Sequence, residues 1–199
     1  MLAFLFALGI SATNICFYKQ SKDKCPGSSQ SFSIDEFNKF KEQTYQDNDF
    51  VFYLTTSMNS DCVIDFKNIA QKNVNVSFTS TDNRYKIYLD FSVDKVFNRF
   101  HSNQIDIESV SKDVHSQFSD IILQSSVLTN LETLEADKID IDSISLSNLK
   151  EIFANDYKIL IKTLDQKSLT KISSKSPENA KVQFNVDSVN NISVIDTTI

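Results

Sequence analysis

Short segments in which apolar and polar residues alternate predict β-strands after residue 49. Val74, Val76 and Phe78 alternate with polar residues, so a strand there places all three on one face. Neighbouring segments have the same β-branched and aromatic character and start about a dozen residues apart, which is typical of an all-β array. The predicted strands are 50–54, 63–66, 74–78 and 86–91.

The second half of the chain contains a repeat. Residues 130–137 have the sequence NLETLEAD, and residues 148–155, which begin 18 positions later, have NLKEIFAN. Fainter copies place Ile172 and Ile192 at equivalent positions, 20 residues apart. A repeat of this length is typical of one coil of a solenoid, so we predict a β-solenoid domain over residues 50–199. Its end lacks an evident polar cap, which suggests either a longer array or end-to-end self-association.

The segment before the repeat domain is predicted to be a linker, 16–30, and a capping helix, together spanning 13–49. Ser33 is a suitable N-cap, and Glu36 completes a capping box for a helix that ends near Thr44. The aromatic face of this helix either covers one end of the core or binds a partner, and we favour the cover.

The middle of the chain has mixed signals. Residues 104–108 alternate like a strand, whereas two flanking groups have helical spacing: Val93, Val96, Phe97 and Phe100, and then Val110, Val114 and Phe118. With only two glycines, the chain is expected to use Asn and Asp at most left-handed backbone positions.

The first ten residues, MLAFLFALGI, form a short uncharged apolar run followed by the small residues Ser11 and Ala12. This start resembles a secretory signal peptide over residues 1–12, although basic residues do not precede the run. The alternative is a buried first strand or helix. The run is too short to span a bilayer and no later segment is long enough, so we predict a secreted or peripherally attached chain without a transmembrane span.

The charge and the cysteines of the chain indicate which partners and which compartment to expect. The 199 residues carry a net charge of −6, and the two arginines, Arg84 and Arg99, are not clustered, which argues against nucleic acid. In an oxidising compartment Cys16–Cys25 or Cys25–Cys62 could form a disulfide, with one thiol left over. The sequons at Asn75 and Asn191 then become candidate glycosylation sites.

No catalytic, cofactor or metal motif is evident. Two glycines cannot supply a P-loop or a dinucleotide fingerprint, and His101 and His115 stand apart from other ligand residues. Outward carboxylates such as Asp106 with Glu108, and Asp140 with Asp142, suit either calcium or a solvated strand face, and we favour the latter. Tyr53, Tyr85 and Tyr88 are predicted to be outward aromatics that suit a sugar or protein surface, or ordinary strand composition.

Two family resemblances follow from these patterns. Residues 63–69, VIDFKNI, with residues 73–77, NVNVS, resemble one coil of a right-handed parallel β-helix of the pectin-lyase-like kind. This resemblance implies a secreted protein and a family that includes polysaccharide lyases, hydrolases and adhesins. The calcium ligands and basic residue of the lyases match no motif around Arg84 or Arg99. The spacing of Leu131, Leu134, Ala136 and Ile139 is instead similar to a leucine-rich repeat.

The leading hypothesis is therefore a secreted or cell-surface β-solenoid that binds a protein or carbohydrate and is not an enzyme. A polysaccharide-active β-helix enzyme is the alternative, and stacked outward Asp with a nearby Lys would favour it. Outward faces of mixed Ser, Thr and Asn would disfavour it. A leucine-rich-repeat binder is the third possibility, and helices on the convex side would favour it.

Overall fold

The computed structural model describes residues 12–20, 25, 27–28, 30–80, 83–112, 114–142 and 149–154, and the backbone of four later strands. The described part is mostly β-strand, which confirms the all-β class. Its elements are β1 (Thr13–Tyr18), β2 (Gln30–Ser33), α1 (Phe37–Glu42), β3 (Asp49–Leu54), β4 (Val63–Ile64), β5 (Asn73–Ser80), β6 (Tyr85–Leu89), β7 (Val96–Asn103), β8 (Ile105–Ser109), β9 (Gln117–Gln124), β10 (Val127–Thr129), β11 (Thr133–Asp142), β12 (Glu151–Ala154), β13 (Lys158–Ile161), β14 (Lys171–Ser174), β15 (Lys181–Phe184) and β16 (Val194–Asp196).

The strands form two parallel sheets. The large sheet has the order β2-β1-β3-β5-β7-β9-β11, after which β12 and β13 both pair with β11 and continue through β14, β15 and β16. The small sheet has the order β4-β6-β8-β10. From β3 to β11 the chain alternates between the large and the small sheet, so that successive strands of each sheet pair in parallel.

The predicted repeat agrees with the strand register over its first three copies. Leu134 pairs with Ile152, the equivalent residue of the second copy, and Ile152 pairs in turn with Ile172 of the third. The prediction for the last copy was wrong, because Ile172 pairs with Ile195. Ile192 lies outside the described residues. Between β10 and β12 the described residues contain one strand, β11, and no helix. Residues 143–148 lie outside the described part, so the leucine-rich-repeat alternative stays a prediction.

Alternate side chains of both sheets fill one apolar core. Val74, Val76 and Phe78 are fully buried on one face of β5, as predicted. Phenylalanine rings stack along the large sheet, with Phe52 and Phe78 4.8 Å apart and nearly parallel. A second stack joins Phe97 and Phe118 at 5.2 Å. Because these rings lie on paired strands, the parallel register itself aligns them.

The two helices predicted in the middle of the chain were wrong. Val96 to Phe100 belongs to β7, in which Val74 pairs with Phe97 but the next residue, Asn75, pairs with Arg99. The extra residue in β7 is therefore Asn98, a β-bulge, and it brings residues three apart onto the same inward face. Phe118 belongs to β9, and Val110 is 48% exposed outside any strand.

Two further expectations were also wrong. Residues 16–30 are not a linker throughout, because Cys16 lies within β1 and is fully buried. Non-glycine residues with positive φ include Phe66, Gln104 and Ser125, whereas Asn130 is the one described Asn among them. The chain passes directly from β7 into β8 at Gln104, so the one-residue turn between the two sheets decides the conformation of Gln104 more than residue preference does.

The helix is shorter than predicted and lies against the core. A 3-10 turn at Ile34–Glu36 precedes α1, which ends at Glu42. The hydroxyl of Ser33 donates to the Glu36 carboxylate at 3.1 Å, in place of the backbone contact that a capping box requires. Phe40 of α1 is buried against the ring of Phe17 on β1, so its aromatic face is part of the core.

The turn and α1 contact the residues that flank β4. Asn68 donates through Nδ2 to the carbonyl of Phe40 at 2.7 Å, and Cys62 Sγ lies 3.7 Å from the carbonyl of Ile34. α1 therefore lies beside the edge strand of the small sheet. In the described part of the chain α1 is the sole α-helix and has six residues, so no helix there qualifies as a membrane span.

Candidate functional site

The outer face of the large sheet is the broadest regular surface of the described residues. Because the strands are parallel and in register, outward side chains of successive strands form continuous rows. One row is largely uncharged and hydrogen-bonding, and joins Tyr53, Thr79, Asn103 and Gln124. The adjacent row contains Val51, Ser77, His101, Ile122 and Asp140.

A cavity of about 230 Å³ lies at the β3–β5–β7 end of this face, and its lining includes Asp49, Asn75, Ser77 and Arg99. Asn75 donates through Nδ2 to the Asp49 carboxylate at 2.7 Å, so the candidate glycosylation amide is already engaged. Arg99 is exposed, and within the described ranges no ion pair forms with it. This cavity therefore contains one cation, Arg99, and one carboxylate, Asp49, beside amide and hydroxyl groups.

A second cavity of about 320 Å³ lies across β7, β9 and β11, and its lining includes Gln117, Ser119, Glu135 and Asp137. Its carboxylates come from β11, whereas the amide and hydroxyl come from β9. The two cavities thus differ in charge, because the first contains both Arg99 and Asp49, whereas the second contains the two carboxylates of Glu135 and Asp137.

The outer face of the small sheet is occupied by ion pairs. Lys86 pairs with Glu108, and Arg84 Nε lies 3.3 Å from Asp106 Oδ1. Burial raises the pKa of Asp106, and the neighbouring cations offset that effect only in part. Asp106 and Glu108, two of the carboxylates considered for calcium, are therefore engaged with cations. Asp140 lies instead on β11 of the large sheet, and the side chain of Asp142 lies outside the described residues. Among the residues with described side chains, no group of three or more potential metal ligands is present.

Another ion-pair group joins the segments after β8 and after β10 to the residue before β12. Glu132 accepts hydrogen bonds from Lys112 and from Lys150, the latter at 2.8 Å. These hydrogen bonds and the lysine charges lower the pKa of Glu132 to about 2. The group is exposed and joins successive turns of the chain, so it has a structural explanation.

The structure places two of the three cysteines in a disulfide. Cys16 and Cys25 are bonded, with their Cα atoms 5.8 Å apart. They pack with Tyr18 and Tyr53 in a small cluster separate from the main core. Cys62 is a buried free thiol, and burial raises its pKa. Asn191 lies outside the described residues.

The remaining predicted residues do not converge on one site. His101 Nε2 lies 3.1 Å from Gln124 Oε1, whereas His115 is exposed on a loop before β9. Tyr53 lies on the large sheet and Tyr88 on the small one, so they do not form a single aromatic patch. Tyr85 was predicted to point outward, but it pairs with the fully buried Ile105 on the face shared with the core.

One charged row was missed from the sequence. Asp120 of β9 pairs with Lys138 of β11, and Arg99 of β7 occupies the equivalent position on the next strand. The three residues are far apart in sequence, and only the strand register brings them together. The spacing of Phe118 and Ile121, which repeats that of Phe97 and Phe100, is the sequence signal from which this alignment could have been found.

Comparisons with protein-family models, curated proteins and solved structures find no match to this chain.

Proposed function

We propose that this chain is a secreted or cell-surface β-solenoid, of the right-handed parallel β-helix type, that binds a protein or carbohydrate on the outer face of its large sheet. The observation that carries the proposal is the row of hydrogen-bonding side chains formed by Thr79, Asn103 and Gln124 beside Tyr53. Such a row repeats at the strand spacing of roughly 4.8 Å and suits an extended ligand with regularly spaced polar groups.

The alternation of strands between two parallel sheets supports the solenoid part of the proposal. Phe50, Val76, Phe100 and Ile121 pair in succession, one on each of four neighbouring strands. The distance along the chain from each of these residues to its partner is typical of one solenoid coil. In this architecture α1 covers the first coil, because its aromatic residues complete the core beside β1 and the small sheet.

The extracellular part of the proposal is supported by the disulfide and by the apolar start of the sequence. A bond between Cys16 and Cys25 is stable in an oxidising compartment and would be reduced in most cytosols. The test is expression with the native start in a eukaryotic secretory host. A product in the medium that begins near Thr13 and loses mass on N-glycan removal supports secretion, whereas a cytosolic product with Met1 intact contradicts it.

Binding is tested with labelled chain on an immobilised panel of neutral and acidic oligosaccharides and on fixed cells. An Asn103→Arg variant places a bulky charge in the centre of the uncharged row, and we expect at least a tenfold loss of binding. Thr129→Arg, on the outer face of the small sheet, is the matched control and should bind as the wild type does. Equal loss in both variants, or in neither, would contradict the assignment of the binding face.

The polysaccharide-active alternative is kept because of the charged row. Asp120 and Lys138 are paired neighbours, and Arg99 is aligned with them, so acidic and basic groups meet on the same outer face. Incubation with oligosaccharides and measurement of new reducing ends tests this alternative. Activity that disappears in Lys138→Ala would favour an enzyme, whereas the mixed Ser, Thr and Asn side chains of the neighbouring rows favour the binding proposal.

A further inference from the structure

The first described strand, β1, lies out of sequence order in the large sheet. β1 pairs with β2 on one side and with β3 on the other, so it separates two strands that follow it in the chain. Every later neighbour in the large sheet, from β3 to β11, is instead the next strand of that sheet along the chain. β1 is therefore an inserted strand.

The register shows what β1 is inserted into. Phe17 of β1 pairs with Phe32 on β2 and with Leu54 on β3. Phe32 and Leu54 therefore hold equivalent positions, and their separation along the chain is within the range found between the later paired strands. The segment from β2 through α1 to β3 is thus as long as the later segments that join paired strands of the large sheet. β1 lies between β2 and β3, in a position that we call the slot.

The connection to β1 also differs from the others. Cys16 and Tyr18 pack in a cluster outside the main core, and Cys25 of the β1–β2 connection is bonded to Cys16 there. Cys25 therefore lies over the outer face of the large sheet, beside Cys16. The connections between β3 and β11 pass through the small sheet on the opposite side.

The slot has defined chemical requirements. Ile15 and Phe17 are fully buried, and the Phe17 ring packs against Phe32, Phe40 and Phe52 at 5.3 to 6.2 Å. A strand that fills the slot must be parallel to its neighbours and must present apolar side chains at alternate positions. An empty slot would remove the Phe17 contacts from these rings and leave two strand edges unpaired, which favours capture of any matching strand.

We propose that the slot between β2 and β3 accepts β1 from a second copy of this chain, giving a strand-exchanged dimer, and that the Cys16–Cys25 bond keeps β1 in its own chain. The eleven residues between Tyr18 and Gln30 reach roughly 36 Å when extended, enough for exchange with a neighbouring copy. With the bond formed, only four residues separate Cys25 from Gln30, and their reach falls to roughly 13 Å. The inference does not depend on the proposed ligand-binding function.

The test uses two full-length variants, Cys16→Ser and Cys25→Ser, each with Cys62→Ala to remove the third thiol. Neither variant can form the bond within one chain. When the two are unfolded together, refolded at high concentration and oxidised, strand exchange places Cys16 of one copy beside Cys25 of the other. We expect a covalent heterodimer at least tenfold more abundant than the two covalent homodimers together, identified by peptide mapping of the linked cysteines.

The control mixes the two variants after each has refolded alone at low concentration, where β1 already fills its own slot. Random collision would give the same products in both mixtures, with heterodimer no more abundant than the homodimers together, and that result would overturn the proposal. If a variant does not fold, refolding of the wild-type chain provides the test instead. Refolding in reductant should give a dimer fraction that rises with concentration and is lost when the disulfide is kept intact, whereas monomer throughout would overturn the proposal.

Discussion

Replacement of Phe78 by alanine tests the assignment of faces in the large sheet. The Phe78 side chain is fully buried in β5, stacked on Phe52 at 4.8 Å and tilted against Phe100 at 5.8 Å. Truncation removes the ring and leaves a cavity between aromatic neighbours on both sides. Phe→Ala changes at such sites cost about 3–5 kcal/mol.

The matched control is Thr79→Ala on the same strand. Thr79 is half-buried on the outer face, so we expect a change within about 0.5 kcal/mol. Because side chains alternate with a period of two, a slip of one residue in β5 would exchange the two results. Urea unfolding followed by far-UV circular dichroism measures both free energies of unfolding.

A double-mutant cycle with Phe52→Ala isolates the stacked pair. The sum of the two single-variant losses in unfolding free energy should exceed the loss in the double variant. The difference is the coupling energy of an aromatic pair, about 0.5–1.5 kcal/mol. A loss below about 1 kcal/mol for Phe78→Ala, or a loss in Thr79→Ala of similar size, would refute the register given for β5.

Three other substitutions test local features. Lys95→Met removes the Nζ donor from the two backbone carbonyls that it hydrogen-bonds, and should cost about 2 kcal/mol in urea unfolding. Glu132→Gln should lower stability above pH 4.5. The lowered pKa of Glu132 means that its contribution is present above its ordinary value and is lost as the pH falls to about 2, so the wild-type and variant unfolding midpoints should converge there. Gln104→Gly should be neutral or stabilising by about 0.5 kcal/mol because glycine adopts positive φ without strain, whereas Gln104→Val should lower the thermal midpoint.

The strands that could be predicted are those in which alternation is undisturbed. In β5 and β6 the buried residues fall at every second position, and β-branched and aromatic side chains occupy most of them. The repeat around Leu134 was likewise visible, because Leu134 and Ile152 are preceded and followed by similar residues. In these segments local preference and the final register agree.

The position of β1 could not have been predicted in the same way. Thr13 to Tyr18 is short, and the polar residues that follow it dominate the composition of the surrounding segment. Its burial comes from two sources that the local sequence does not contain. The inner side packs on phenylalanines of β2, α1 and β3, and the outer side is covered by Cys25 of its own connection. A strand buried by distant segments has little local signal.

The candidate binding face was missed for a related reason. Each strand contributes only two or three outward polar residues, which alone are indistinguishable from an ordinary solvated strand. The rows exist only after the strands are aligned, and an error in one register would pair different side chains. The row of Tyr53, Thr79 and Asn103 depends on two pairings that both span more of the chain than the repeat seen in the sequence does, so that repeat could not have revealed the row.

The bulge at Asn98 explains why the middle of the chain suggested helices. In β5 the inward residues Val74 and Val76 are two apart. Their partners in β7, Phe97 and Phe100, are three apart. β9 repeats the longer spacing, so its ladder with β7 continues without a further shift. An extra residue in one strand of a parallel stack is thus accommodated by the same extra residue in the next. Spacing of three within a single segment suggests a helix, but its recurrence one coil later, at the same place among apolar neighbours, indicates stacked strands that share a bulge.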